Sequence, residues 1–494
     1  MILLDRADNI TPKGAYPLVI LSTIILVVLT TVFAATLPLF LDEAVSLNES
    51  QQSTPRDVVH VIQTWDQGKP PLYFLFLHYW LKLFPIAEIY LRLPSIIFAG
   101  LSIVPLFLTG KALVGARAAA LSCALLAINP EFIFVSSWGR MYSLFFLLTL
   151  VGSYSLYCMV HSANRFLAST CYLVSLVCLL YLHNFAVLVL AVHLAYVMLC
   201  NRSALAGMLL VLLMAVTAYL PWLSVAYGQF ISITHETSAI SWISSPTVLN
   251  LLGVFKHLAG SVLLAVLFLP FAILAMLRSW SILDKTSSAG TRPTSRGAHD
   301  IRFALIWIGL PVSLTFGFSW TVRPIYAFHY LLFILPPFLW LVAAGVEDLR
   351  AKLGRVIVPA FVGVTIVFSA ASLYGIAFDD RRPDWRGIAK YVASHRANEE
   401  IVLVEDPAQR LPYGYYDRAG EVYGVERGFL RKVWFEGWEA FPDAGPEKVW
   451  VVAEKASLVE TGFASVAEYG LFGVYRIPRG GLELHLRGLS RGFP

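Results

Sequence analysis

Two adjacent carboxylates, Asp42 and Glu43, follow the first long apolar run of the chain. A third acid, Asp66, stands just ahead of Lys69 in Trp65-Asp66-Gln67-Gly68-Lys69-Pro70-Pro71-Leu72-Tyr73. A carboxylate held beside a low-dielectric medium can take a proton from a hydroxyl, which is the work of a general base. Lys69 precedes two prolines that fix the backbone and forbid a helix through that point, so a stiff turn holds its ammonium. Three arginines stand at the ends of apolar runs: Arg92 in Tyr90-Leu91-Arg92-Leu93-Pro94-Ser95, Arg140 in Trp138-Gly139-Arg140-Met141-Tyr142, and Arg323 ahead of Tyr326, His329 and Tyr330. Cations grouped in this way suit a phosphate or pyrophosphate, bound through charge-assisted and often bidentate hydrogen bonds. Asp66, Tyr142, His183 and His329 are the further candidates for substrate contact.

Each of these residues also has a plainer reading. Acids mark where a helix leaves a membrane, a lysine snorkels, and a single arginine at a helix end anchors it to the interface. What favours chemistry is that the acids, Lys69 and the three arginines gather at one end of the apolar segments. No His-x-x-x-His or Glu-x-x-His ligand spacing occurs and no glycine-rich phosphate cradle is present, so the expectation is neither metal nor cofactor.

The elements that carry these residues are membrane helices. Apolar residues make up 57% of the 494 and charged residues 14%, and the mean hydropathy is +0.68. These values exclude an ordinary soluble protein of this length. The net charge of +5 resides mostly in short loops, where Lys and Arg set topology, so it does not point to nucleic acid. The five cysteines all lie inside apolar segments without Cys-x-x-Cys spacing and read as small buried hydrophobes. The first apolar run, 16–39, is too long for a signal-peptide core and lacks a clean cleavage site, so it reads as a retained span.

Runs of about 20 apolar residues, enough to cross a bilayer, begin near Tyr16, Arg92, Arg117, Met141, Arg165, Asn184, Leu205, Leu251, Arg302, Phe328 and Arg355. The expected fold is therefore a polytopic α-helical membrane protein with about eleven transmembrane helices. The apolar stretch 71–84 is too short to span, carries Lys82 and opens with Pro-Pro, so it reads as an interfacial helix in the outer loop 40–91. Parity supports this. With 71–84 left out of the count, the loops bearing Lys111 and Arg117, Arg165, Arg202, Arg278 to Arg302, and Arg350 to Arg355 share a side with Arg6 and Lys13, which makes that side cytoplasmic. The N-terminus is then cytoplasmic. Loop 40–91, the Arg140 corner, His183, loop 227–250, residues 321–329 and everything after Phe378 face outward from the inner (plasma) membrane. The stretch 281–298, rich in Ser, Thr, Gly and basic residues, reads as a flexible cytoplasmic loop. After Ala377 the composition changes. A helical pattern over 384–395 and short apolar runs at 401–404, 449–452 and 472–475 predict a small extracytoplasmic α/β domain, giving a membrane domain over 1–377 and a soluble domain over 378–494.

On Asp42-Glu43 after the first span, Lys69-Pro70-Pro71, Arg92-Leu93-Pro94-Ser95, Arg140-Met141-Tyr142 and the run from Arg323 to Pro337, the chain resembles the GT-C superfamily of polyprenyl-phosphate-sugar glycosyltransferases. The resembling branch contains protein O-mannosyltransferases and the bacterial lipid A aminoarabinose transferase. Many mannosyltransferase relatives have His-Pro-Pro where this chain has Lys69-Pro-Pro, and the lysine is similar to the aminoarabinose-type branch. The resemblance implies inverting transfer of one sugar from a polyprenyl-phosphate donor to a lipid, glycan or protein acceptor at the outer face. It also implies Asp42 as catalytic base, Glu43 as supporting acid, Lys69, Arg92 and Arg140 as contacts to the donor phosphate, and Arg323 and Tyr330 as weaker matches in the same role. The competing expectation from another class is a transporter or flippase of lipid-linked sugars. Such proteins commonly show paired halves and broken helices near the midplane, whereas here the charges gather at one face.

Overall fold

The computed structural model describes residues 14–64, 69–162, 165–234, 243–288, 301–379, 383–397, 400–418, 422–425, 448–454, 465–469 and 471–478. Asp66, the basic residues Arg6 and Lys13, and residues 289–298 of the expected flexible loop lie outside these. The helices are α1 (Ala15–Thr36), α2 (Leu41–Ser50), α3 (Pro55–Thr64), α4 (Leu72–Leu83), α5 (Glu88–Val114), α6 (Ala116–Ala127), α7 (Pro130–Ser136), α8 (Tyr142–His161), α9 (Arg165–Leu182), α10 (Ala186–Cys200), α11 (Leu205–Thr234), α12 (Val248–Ala259), α13 (Val262–Ser288), α14 (Ile301–Thr321), α15 (Leu335–Leu353), α16 (Ile357–Ala377), α17 (Trp385–His395) and α18 (Arg410–Tyr416).

Nine helices among the described residues are long and apolar enough to cross a membrane, or ten if the bent pair α6–α7 is counted as one span. The chain is a multi-pass membrane protein. The eleven expected segments are α1, α5, α6–α7, α8, α9, α10, α11, α13, α14, α15 and α16, with two differences. α10 has 15 residues, short of the roughly 20 that a perpendicular crossing takes. The segment expected near Leu251 is divided at Gly260 into α12 and α13, because Gly260 takes a left-handed φ of 95° that ends α12. α6 and α7 meet at 60°, since Pro130 at the start of α7 has no N–H to continue the ladder and Asn129 caps the new helix by accepting from Phe132 N–H at 2.8 Å. α4, the helix after Lys69-Pro70-Pro71, has 12 residues and is too short to span.

The chain divides into two compact units. The first comprises Met1–Ala35 with Ser50–Ile376, the second Thr36–Glu49 with Ala377–Pro494. In the first, buried polar groups tie helices together. His193 of α10 bonds Ser153 of α8 at 2.9 Å and Tyr172 of α9 at 3.1 Å, the kind of interhelical hydrogen bonding that holds bundles in lipid. The indoles of Trp307 and Trp340 lie edge to face at 5.7 Å and are fully buried between α14 and α15.

The second unit carries a five-stranded sheet: β1 (Ile401–Glu405), β2 (Val422–Val425), β3 (Lys448–Glu454), β4 (Ala467–Tyr469) and β5 (Phe472–Pro478), in the order β2-β1-β3-β5-β4. β1 runs parallel to β2 and β3, while β5 is antiparallel to β3 and β4. α17 begins at Asp384, whose carboxylate accepts from Gly387 N–H at 3.0 Å. Its apolar face (Trp385, Ile388, Ala389, Val392) packs on Val402, Val404, Trp450, Val452, Phe472 and Val474. Two buried acids are fully engaged here. Asp417 accepts from both Arg396 nitrogens and from Tyr413. Burial opposes ionisation of Glu400, but hydrogen bonds from Arg476, Trp450 and the Ala397 N–H outweigh it and hold the carboxyl below its usual range.

Candidate functional site

The site in the first unit is built at the turn between α7 and α8. Gly139 lies so close to α5 that a β-carbon there would sit 2.7 Å from Leu91 Cγ and 3.1 Å from its carbonyl oxygen. Glycine alone permits that approach. The Arg140 carbonyl then accepts from Ser95 Oγ of α5 at 3.0 Å. The corner is thereby fixed to α5, and Arg140 is buried beside Tyr142, with its guanidinium carbon 6.0 Å from the ring centroid.

Around Tyr142 the structure gathers three of the residues expected from sequence. His183, from the turn between α9 and α10, lies 6.2 Å from the Tyr142 ring, and His329 and Tyr330 lie at 5.4 and 6.3 Å. His183 packs on Tyr330 at 5.5 Å and on Phe145 at 5.1 Å. The Phe185 N–H donates to His183 Nδ1 at 3.0 Å. A backbone N–H can only donate, so the neutral ring carries its proton on Nε2. Burial, together with His329 and Arg140 nearby, pushes His183 down to about 3. His183 is therefore a neutral hydrogen-bond donor at physiological pH. A cation, a neutral imidazole donor and two tyrosines form a cluster whose groups suit anionic oxygen and hydroxyls.

The other candidates are placed as follows. Lys69 stands at the entry to α4 with its ammonium 5.7 Å from the Phe74 ring, and its carbonyl accepts from Gln229 Nε2 of α11 at 3.2 Å. Arg92 is inside the bundle, 1% exposed. It donates to the Ala34 carbonyl in the last turn of α1 and lies 3.9 Å from Glu88 one turn back on α5. The guanidinium thus caps an orphan carbonyl at the end of α1. Arg323 follows α14, with its N–H bonded to the Phe318 carbonyl at 3.3 Å. Asp66 lies outside the described residues.

Asp42 and Glu43 belong to the second unit. α1 ends at Thr36, ahead of Pro38, and the acids lie in the first turn of the separate helix α2. Glu43 is buried, and its Oε2 accepts from the Phe40 N–H at 3.0 Å, the carboxylate half of a capping box. Asp42 is half-buried, and its own carbonyl receives Ser46 Oγ at 2.9 Å. The segment is tied into this unit by Tyr416 of α18, whose hydroxyl accepts the Leu39 N–H at 2.7 Å, and by Arg386 of α17, which donates to the Leu37 carbonyl at 3.4 Å and lies over the Tyr416 ring.

A cavity of about 260 Å³ adjoins His329 on another side. Its polar lining includes Glu131, Ser244, Asn250 and His257, residues that sequence reasoning passed over. The available signals were the Asn129-Pro130-Glu131 helix start and Gly260 a few residues after His257, neither of which shows by itself that the two regions meet.

No family of proteins matches the chain by sequence, and no curated protein does. Solved structures do match. ArnT from Cupriavidus metallidurans bound to undecaprenyl phosphate aligns with 94% of this chain and 98% of its own, at TM-score 0.60 and 13% identity. The apo form of the same protein gives 0.60 at 14% identity over the same shares. The archaeal oligosaccharyltransferase AglB from Archaeoglobus fulgidus, in complex with an inhibitory peptide and a dolichol-phosphate, aligns over 96% of this chain and 77% of its own, at 0.54 and 11%. The chain shares the fold of these structures. That fold spans the membrane helices and the C-terminal sheet alike.

Proposed function

We infer that this protein is a membrane glycosyltransferase that moves one sugar from a polyprenyl-phosphate donor to an acceptor at the extracytoplasmic face, with inversion. The observation that carries the reading is the buried Arg140 held against Tyr142, His183, His329 and Tyr330 in a chain whose fold matches, over 94% of its length, a structure holding undecaprenyl phosphate.

In this reading Asp42 accepts the proton of the acceptor hydroxyl while that oxygen attacks the anomeric carbon. The bond from that carbon to the donor phosphate oxygen breaks, and its electron pair leaves with the phosphate. Fixed cations lower the barrier by stabilising charge as it develops on the departing oxygen. Arg140 and Lys69 take that role, with the His183 Nε2–H as a neutral donor beside Arg140. Arg92 holds the end of α1, and Arg323 and Tyr330 contribute to the same outer surface. The acceptor is a lipid, a glycan or a protein.

The test is transfer by purified protein in detergent, with radiolabelled polyprenyl-phosphate sugars and a cell-envelope extract. Asp42→Asn is expected to abolish transfer while donor binding survives, and Arg140→Ala to weaken donor binding. Equal transfer by wild type and Asp42→Asn would remove Asp42 from the mechanism. Movement of lipid-linked sugar across vesicles without transfer from any donor would replace the enzyme with a transporter.

A further inference from the structure

α7 and α12 are far apart in sequence, but three features press their ends together. Gly260, in its left-handed cap, sits where a β-carbon would lie 2.5 Å from Pro130 Cδ. Asn129 Nδ2 donates to the carbonyls of Leu258 and Ala259 at 2.9 and 3.4 Å. Ser372 of α16 donates to the Gly260 carbonyl at 2.8 Å. The result places Glu131, in the first turn of α7, opposite His257, in the last turn of α12, with Oε1 and Nδ1 3.8 Å apart. That gap is too long for a hydrogen bond. The carboxylate and imidazole lie side by side, and both line the 260 Å³ cavity.

Two aromatic residues of the lining, Tyr326 and Phe328, are held in place by their neighbours. Phe328 stacks on His257 at 3.8 Å with planes 14° apart, and Tyr326 packs edge-on against Phe328 at 5.5 Å. The Tyr326 hydroxyl donates to the Asn250 carbonyl at 3.3 Å, so its ring is held in place. Trp320 holds the lining residue Pro246 by donating to its carbonyl at 2.8 Å.

We propose that this cavity binds a single sugar ring, a proposal that rests on the transferase reading and names where a carbohydrate sits. The volume of about 260 Å³ is almost nine times the roughly 30 Å³ share of one water and falls below the roughly 300 Å³ at which drug-sized pockets begin, so it suits one small ring and neither a lipid tail nor a peptide. A ring of hydroxyls needs acceptors and donors around its edge and an apolar surface for its C–H face. Glu131, His257 and Ser244 provide the first, Tyr326 and Phe328 the second. The lining residue His329, itself against Tyr142 and Tyr330, places the cavity next to the Arg140 cluster. The ring belongs either to the donor or to the acceptor, and its chemistry is the same in both cases.

The test is saturation-transfer NMR of methyl hexosides and a hexosamine with the full-length protein in detergent. Saturable binding is expected. Glu131→Gln should weaken it about tenfold, the equivalent of one charge-assisted hydrogen bond, and Ser244→Trp at the rim should abolish it, with polyprenyl-phosphate binding unchanged in both variants. Displacement by a polyprenyl-phosphate sugar but not by bare polyprenyl phosphate assigns the ring to the donor, and displacement by neither assigns it to the acceptor. No saturation by any of these sugars, in protein that still binds polyprenyl phosphate, would overturn the proposal. So would binding that neither variant alters. Failure of transfer from every donor while hexosides still bind would remove the transferase reading and leave the sugar site standing.

Discussion

At the scale of single residues, the two neighbouring acids have separated roles that their adjacency hides. Glu43 is buried and its oxygen is engaged by the Phe40 N–H at the head of α2, whereas Asp42 one position earlier is half-buried. Glu43→Ala is therefore expected to cost about 0.5–2 kcal/mol, the range for losing a helix cap, read as a lowered thermal midpoint. Asp42→Asn should leave that midpoint near wild type while transfer is lost. His183 gives a second prediction at this scale. Its folded value of about 3 lies below the ordinary 6.5, so above pH 6.5 the ring is neutral in both states and carries no penalty. Between 6.5 and 3 the unfolded chain binds a proton that the folded chain refuses, and stability falls as pH is lowered. Thermal unfolding of wild type and His183→Gln from pH 8 to pH 4 checks this. The wild type should lose ground to the variant as pH drops below 6.5, and parallel curves would show that the ring is not held neutral.

At the scale of elements, what could be read from the chain follows from how local each signal is. Asp384 followed by the apolar face of α17, and the runs that became β1, β3 and β5, were visible because periodicity and flanking residues lie within one short window. The edge strands β2 and β4, of four and three residues, are too short to carry a period. The acids of α2 follow the apolar run so closely that the sequence does not announce a separate helix there. The break at Pro38 makes it a separate helix. The meeting of α7 and α12 was not legible at all, because it depends on residues more than 100 positions apart. It can be tested directly. Asn129→Ala removes the cap on Phe132 and two bonds to α12, and should destabilise by about 1–3 kcal/mol, the cost of an unsatisfied buried group added to a lost cap. It should also weaken hexoside binding, because Glu131 rides on the same helix start. A variant with wild-type stability and hexoside affinity would mean that α7 and α12 are held by other contacts.

At the scale of the whole molecule, the sequence places Asp42 just after the first membrane helix, yet residues Thr36–Glu49 cluster with Ala377–Pro494 rather than with the helices on either side of them in the chain. Two hydrogen bonds support this, from Leu39 N–H to Tyr416 and from Arg386 to the Leu37 carbonyl, and the Arg386 guanidinium over the Tyr416 ring at 6.0 Å places that donor and that acceptor relative to one another. In the mechanism inferred above, the C-terminal unit is then the support of the general base and not an appendage for acceptor choice alone. Reaction rates depend steeply on where the base lies, since misplacement of about 1 Å can cost a hundredfold. Tyr416→Phe removes only the hydroxyl that accepts Leu39 N–H, leaving the ring under Arg386. It is expected to lower kcat for sugar transfer by about tenfold or more, with little change in KM for the donor, because in that mechanism Arg140 and Lys69, on the first unit, hold the donor phosphate. Truncation after Ala377 should abolish transfer while the membrane helices still bind polyprenyl phosphate. Activity retained by the truncated chain would show that α2 holds Asp42 in position without the C-terminal unit, and a rise in donor KM with unchanged kcat in Tyr416→Phe would move this contact from positioning the base to binding the donor.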